Sequence, residues 1–186
     1  LVPIAAAIMG FGTPAVANSL LFQGVTFNTV ALDSDTLSLS ILNAPSATGD
    51  WAGISSLGAF EIKNIGTVTG VTSISGPGSW STFVSTELTA NGCTSGNAPG
   101  ACFSAISPVA LTTPMIWNID FTGSLSFDAP SLKVQFLDIA GNKQGSLLSA
   151  TIPAIPEPEI YAMLMAGLGL MGFVARRRRQ SLEGAS

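Results

Sequence analysis

Histidine is absent from the 186 residues, and only 10% of them are charged. Soluble domains usually carry about 25% charged residues. Without histidine, the common Ser-His-Asp triads and most zinc and copper sites are excluded. We therefore expect no catalytic residue, no metal and no cofactor, and we predict that the protein is not an enzyme.

Positive charge is also scarce. Between residues 18 and 151, eight carboxylates outnumber three lysines, and arginine occurs only in one run near the end of the chain. The basic residues are Lys63, Lys133, Lys143, Arg176, Arg177, Arg178 and Arg179. Because phosphate contacts need lysine and arginine, we expect no nucleic-acid partner.

The start of the chain lacks a basic segment but is apolar, reading LVPIAAAIMGFGTPAVANS. Ala15-Val16-Ala17 follows the apolar run and resembles the A-x-A cleavage site of a secretory signal peptide. We interpret residues 1–17 as a signal-peptide remnant and predict cleavage between Ala17 and Asn18. The alternative is an apolar strand of the following domain.

A long uncharged run occurs near the other end, where Ile160 to Ala175 contain no charged residue. A helix of this length spans about 24 Å, slightly less than the roughly 30 Å hydrocarbon core. Pro156 and Pro158 precede the run, and the arginine cluster follows it. We predict a single transmembrane helix over 160–175 and a cytoplasmic basic tail over 176–186. The alternative is a buried helix with a solvated tail.

Pro156-Glu157-Pro158, the apolar run and the arginine cluster resemble, in this order, a PEP-CTERM sorting signal over Ile155 to Gln180. The resemblance implies that exosortase, a membrane protease-transferase, recognises the Pro-Glu-Pro triplet. It implies a transient membrane anchor and assigns Arg176, Arg177, Arg178 and Arg179 to a stop-transfer cluster. Most members have Thr or Ser where this chain has Ile160.

The same resemblance implies export through the inner membrane of a Gram-negative bacterium that makes exopolysaccharide. The protein would then reach the cell surface or the extracellular space, with a C-terminal membrane anchor before processing. Its partners would be exosortase and exopolysaccharide, and it would bind the membrane at least transiently.

Helical periodicity is weak between residues 18 and 151, whereas apolar and polar residues alternate in several short segments. In Met115 to Phe121, every second residue is apolar, which is typical of a half-buried strand. The predicted strands are 20–27, 36–41, 59–65, 68–75, 80–86, 115–121, 124–127, 132–138 and 145–150. We predict a mainly β fold: an antiparallel, jelly-roll-like β-sandwich over 18–151, followed by a linker over 152–159.

Cysteine occurs twice, at Cys93 and Cys102, which bracket a turn-rich loop. Outside the cytosol an isolated pair of this kind usually joins, so we predict a disulfide. A metal site lacks further ligands, and a catalytic thiol lacks a histidine base.

Two side-chain groups leave other functions open. Trp51 and Trp80 could stack on sugar rings, and Asp33 with Asp35 could ligate calcium in a loop. Our first hypothesis is a structural surface or matrix protein linked to biofilm. The alternatives are a carbohydrate-binding β-sandwich module, a secreted hydrolase that uses carboxylates, and a permanently membrane-anchored surface protein.

Overall fold

The computed structural model describes residues 17–94, 96, 98–155, 165, 167–169 and 171. Within these residues the chain is mainly β. The strands are β1 (Ala17–Phe22), β2 (Val25–Ala31), β3 (Thr36–Leu42), β4 (Ser56–Lys63), β5 (Gly66–Ser75), β6 (Trp80–Val84), β7 (Leu88–Thr89), β8 (Gly92–Cys93), β9 (Gly100–Ala110), β10 (Met115–Leu125), β11 (Ser131–Leu137) and β12 (Leu148–Thr151).

Ten of these strands form two five-stranded sheets. Sheet A has the order β1-β2-β3-β10-β5, and sheet B has the order β12-β11-β4-β9-β6. The two-stranded hairpin β7–β8 is separate from both. All strand pairs in the two sheets and in the hairpin are antiparallel. This confirms the predicted fold class, which is mainly β and antiparallel.

Aromatic side chains from both sheets meet in one core. Phe60 of sheet B lies 5.4 Å from Trp117 of sheet A between ring centroids, and Phe103 lies 6.3 Å from Phe121. These four side chains are almost completely buried. The apolar side of the alternating strands therefore faces inward in both sheets, as the period of two requires.

The turn between β5 and β6 is fixed by two tryptophans. The indole N–H groups of Trp80 and Trp117 both donate to the carbonyl of Pro77, at 2.8 and 2.9 Å. Gly76 has φ of 143°, and a Cβ there would lie 2.6 Å from Cδ1 of Trp117. Only glycine fits beside the indole, which explains the Gly-Pro-Gly sequence at 76–78.

The prediction of one strand over 20–27 is wrong, because the chain turns back at Gln23 and Gly24. Both residues have positive φ, 47° and 80°, as a two-residue hairpin turn with this backbone twist requires. The result is the β1–β2 hairpin. Glutamine is unusual at the first position of such a turn, where asparagine, aspartate or glycine is common. Gly24 is therefore the one residue whose type indicates this turn.

The predicted strand over 124–127 is also wrong as a separate element, because β10 continues to Leu125. Two register shifts interrupt its pairing with β5, between Asp120 and Phe121 and between Thr122 and Gly123. Bulges of this kind break the alternation without ending the strand. The eleven-residue strand β9 was not predicted at all.

The chain divides into two compact units after Ala154. We call residues 17–154 the β domain. Beyond it, Met165, 167–169 and Met171 are helical. Among the described residues, no helix is both long and apolar enough to cross a membrane. Most of the helix predicted over 160–175 lies outside the described residues.

Candidate functional site

The two ends of the β domain lie side by side. Asn18 in β1 forms an antiparallel bridge with Ala154, and the Ser19 N–H donates to the carbonyl of Pro153 at 3.0 Å. Ile152 is fully buried just before this contact. The chain is therefore held against β1 until the last residue of the β domain.

Asn18, the predicted first residue after signal cleavage, is an integral part of this contact. Its side chain is 1% exposed, and its Nδ2 lies 3.3 Å from both Thr29 Oγ1 and the carbonyl of Phe127. Ala17 pairs with Val30 at the start of β1. The cleavage site between Ala17 and Asn18 stays a prediction, and it lies within the folded strand.

The predicted sorting triplet begins directly after this contact. Ile155 is 48% exposed, while Pro156, Glu157 and Pro158 lie outside the described residues, as do Arg176, Arg177, Arg178 and Arg179. In the sequence, five residues (155–159) separate Ala154 from Ile160.

The prediction that Trp51 stacks on sugars is wrong, because its side chain is fully buried. Its ring packs edge-on against Phe22, Phe27 and Phe136, and its N–H donates to the carbonyl of Ser146 at 2.9 Å. Trp80 is half-buried, with its ring against Phe60 and Trp117. The carbohydrate-binding alternative loses one of its two predicted stacking residues.

The predicted disulfide between Cys93 and Cys102 is confirmed. The Cα atoms are 5.8 Å apart, and the bond links β8 to the start of β9. It attaches the β7–β8 hairpin to the outer face of sheet B.

Asp33 and Asp35 lie in a hydrogen-bonded turn between β2 and β3. One carboxylate oxygen of Asp33 accepts hydrogen bonds from the backbone N–H of Asp35 and of Thr36, at 3.0 and 2.7 Å. The Asp35 N–H is the main reason why the pKa of Asp33 is lowered to about 2. Within the described part of the chain, no three His, Cys, Asp or Glu residues are grouped to hold a metal.

Sequence reasoning missed a buried acid, Glu61, on the outer face of sheet B. Its side chain is completely buried, although the alternation of β4 predicts a solvated residue there. Oε2 accepts a hydrogen bond from the Leu88 N–H at 3.0 Å. Burial is the main cause that raises the pKa of Glu61, and the Leu88 N–H and two lysines oppose this shift.

An ion pair lies beside this acid. Lys133 Nζ is 2.9 Å from Glu87 Oε1, and this contact lowers the pKa of Glu87. Lys133 is directly opposite Glu61 in the β4–β11 pairing. The nearest sequence signal was Glu61-Ile62-Lys63, an ordinary polar-apolar alternation, so nothing indicated a covered acid.

The described residues define a β domain, and residues 155–186 form a separate unit that follows it in the sequence. A family model described as the PEP-CTERM protein-sorting motif matches residues 154–179. The match confirms the resemblance, and it supports an exported protein that exosortase sorts at the cell envelope. Comparisons with curated proteins and with solved structures found no match.

Proposed function

We propose that this protein is a non-enzymatic surface or extracellular-matrix protein, whose β domain is the delivered cargo and whose C-terminal motif is its address. The observation that carries the proposal is the sorting motif at residues 154–179. Pro156, Glu157 and Pro158 are the residues that exosortase recognises. The absence of histidine from the sequence supports a cargo without hydrolytic chemistry.

The proposal includes a membrane-inserted intermediate. Ile160 to Ala175 form the anchor, and Arg176, Arg177, Arg178 and Arg179 hold the tail on the cytoplasmic side. This orientation follows the enrichment of Lys and Arg on the cytoplasmic side of membrane helices. The β domain, a jelly-roll-like sandwich in this proposal, then lies outside the inner membrane. A disulfide within the β domain agrees with that location, because disulfides persist in oxidising compartments.

The setting we propose is exopolysaccharide and biofilm. The β domain is poor in positive charge and rich in Ser and Thr. Such a surface has no strong electrostatic attraction for nucleic acid, and its hydroxyl groups suit hydrogen bonding to hydrated polysaccharide.

A proline substitution tests the address. The double variant Pro156→Ala/Pro158→Ala is compared with Pro153→Ala in cells that contain exosortase. Pro153 is a matched control, because it lies three residues before the triplet and contributes only its backbone carbonyl to Ser19. We expect the double variant to remain unprocessed at the inner membrane and the control to reach the surface.

Two results would count against the proposal. Surface delivery of the double variant at the wild-type level would remove the triplet from recognition. A wild-type chain that keeps its full C-terminus in the membrane would instead establish a permanently anchored protein.

A further inference from the structure

The outer face of sheet B carries an unusual row of side chains. The strand register places Phe83, Cys102, Glu61 and Lys133 directly opposite one another on β6, β9, β4 and β11. Opposite partners in neighbouring strands point to the same face. Because Phe60 and Ile62 of β4 face the core, this row faces away from it.

The β7–β8 hairpin covers the middle of this row. Leu88 is fully buried and packs with Ala59 and Cys102 in a small cluster apart from the main core. The Leu88 N–H donates to Glu61, and Gln135 Nε2 donates to the carbonyl of Ala90 at 2.7 Å. Apart from the disulfide, the contacts that attach the hairpin to sheet B are these polar contacts and the packing of Leu88.

The hairpin has little stability of its own. β7 and β8 contain two residues each, and within the described part of the chain their strand pairing is limited to one another. Isolated two-stranded hairpins are marginally stable at best in water. The disulfide from Cys93 to Cys102 is its covalent attachment to the sheet, and Cys102 is the residue directly opposite Glu61.

Covering Glu61 is unfavourable for its charged form. Its Oε1 has no hydrogen-bond partner among the described residues, and the nearest cation, Lys63 Nζ, is 4.0 Å away. Removing a carboxylate from water without full compensation costs free energy. The charged groups around it are Lys63 from β4, Lys133 from β11 and Glu87 from the segment before β7. On β9, Cys102 is uncharged in the disulfide and becomes a titratable thiol on reduction.

We propose that the β7–β8 hairpin is a lid that the Cys93–Cys102 disulfide holds closed over Glu61, and that reduction of this disulfide lets the ionised carboxylate open it. The reductant is a dithiol. Its two sulfur atoms form a new S–S bond, and the two electrons and two protons that it gives up end on the Sγ atoms of Cys93 and Cys102. The lid then lacks its covalent attachment, and hydration of Glu61 favours the open state.

The direction of the pH effect follows from burial. Burial raises the pKa of Glu61 in the closed state, and the pKa returns to its usual value when the lid opens. The closed state is therefore most stable below that usual value and loses stability as the pH rises through the raised pKa. The disulfide opposes this loss, so closure is secure where disulfides persist, outside the cytosol.

Hydrogen exchange of the Leu88 amide tests the lid in the full chain, held in mild detergent. Protection factors, which correct for the intrinsic pH dependence of exchange, are measured with the disulfide intact and after dithiol reduction. We expect high protection in the oxidised chain at about pH 5 and about pH 8. After reduction we expect lower protection at the higher pH than at the lower pH, because the ionised Glu61 carboxylate is less stable when it is covered.

Two variants and one internal reference test whether the charge of Glu61 causes the pH dependence of Leu88 protection. Glu61→Gln keeps an oxygen acceptor for the Leu88 N–H but removes the charge, so the reduced variant should lose the pH dependence. Glu87→Gln, a matched change at the neighbouring acid, should retain it. The Trp117 amide in β10 should stay protected throughout, because it reports on the main core.

Three results would overturn the lid. They are unchanged protection of Leu88 after reduction at both pH values, an equal pH dependence in Glu61→Gln, and a parallel loss at Trp117 that indicates global unfolding. If Glu61→Gln does not fold, the reduced wild-type chain at the two pH values and the Trp117 reference still decide between these outcomes.

Discussion

The β domain and the segment that follows it hold their functional information in different ways. In the segment, which we call the sorting segment (residues 154–179), a triplet, an apolar run and a basic cluster act through their order along the chain. In the β domain, Glu61 is covered by Leu88 and faces Lys133, residues far from it in sequence. A linear signal can be read before the fold is known, whereas a covered acid cannot.

The largest expected effect comes from moving the sorting segment. Residues 152–186 fused to an unrelated exported reporter should deliver that reporter to the cell surface in a strain with exosortase. A β domain that ends at residue 155 should be released without sorting, because it lacks the triplet and the anchor. Fractionation of cells and medium measures both, and a reporter that stays unsorted would contradict the separation of address from cargo.

The next effect concerns the core of the β domain. Trp117→Ala removes a fully buried indole that contacts Phe60 and Trp80, and we expect a loss of about 3–5 kcal/mol in the free energy of unfolding. Ile116→Ala is the matched control, because Ile116 lies next in sequence but is 47% exposed. Denaturant unfolding should show a much smaller change for the control, and equal changes would mean that the core is misassigned.

A smaller effect is expected for the disulfide. Replacing both Cys93 and Cys102 by serine should lower the free energy of unfolding by about 2–3 kcal/mol, because the cross-link closes only a short loop. Thermal and denaturant unfolding of the variant and of the oxidised wild type measure this difference. No difference in stability would show that the cross-link does not constrain the unfolded chain as the loop length predicts.

The smallest expected effect is on the carboxyl pKa values of Asp33 and Asp35 in the turn after β2. NMR titration of the side-chain carboxyl carbons should place the pKa of Asp33 at about 2 and that of Asp35 above its usual value. The hydrogen bond to Asp33 is the main cause of the Asp35 shift, so Asp33→Asn should change the Asp35 titration. The lowered pKa of Asp33 adds stability above the usual aspartate pKa that is lost as the pH falls through about 2.

An unchanged Asp35 titration in Asp33→Asn would show that the two carboxyls do not interact. Asp33→Ala provides a second comparison, because it also removes the oxygen that accepts the Asp35 and Thr36 N–H groups. We expect the turn to be less ordered in Asp33→Ala than in Asp33→Asn, since asparagine keeps that acceptor.

Much of the β domain could be predicted from local pattern. The alternation in Met115 to Phe121 predicts which side of the strand faces the core. The Gly-Pro-Gly sequence at 76–78 predicts a tight turn. The disulfide was predictable from the two cysteines alone. The β1–β2 hairpin was missed because Gln23 takes a positive φ that asparagine or glycine usually supplies.

The covered acid could not be predicted, for a physical reason. Whether Glu61 is solvated depends on the β7–β8 hairpin, which folds back over sheet B from a position 27 residues away. Period-two alternation reports which face of a strand a residue occupies, and it does not report what covers that face. Trp51 shows the same limit, because its burial depends on Phe22, Phe27 and Phe136 from distant strands.

The most direct test of the sorting account is the intact mass of the protein recovered from matched strains with and without exosortase. We predict that the strain with exosortase yields a chain that begins at Asn18 and lacks the residues after the Pro-Glu-Pro region. The strain without it should yield a chain that still ends in the basic tail. A tail that includes Arg176 to Arg179 on the mature protein from both strains would contradict the central claim.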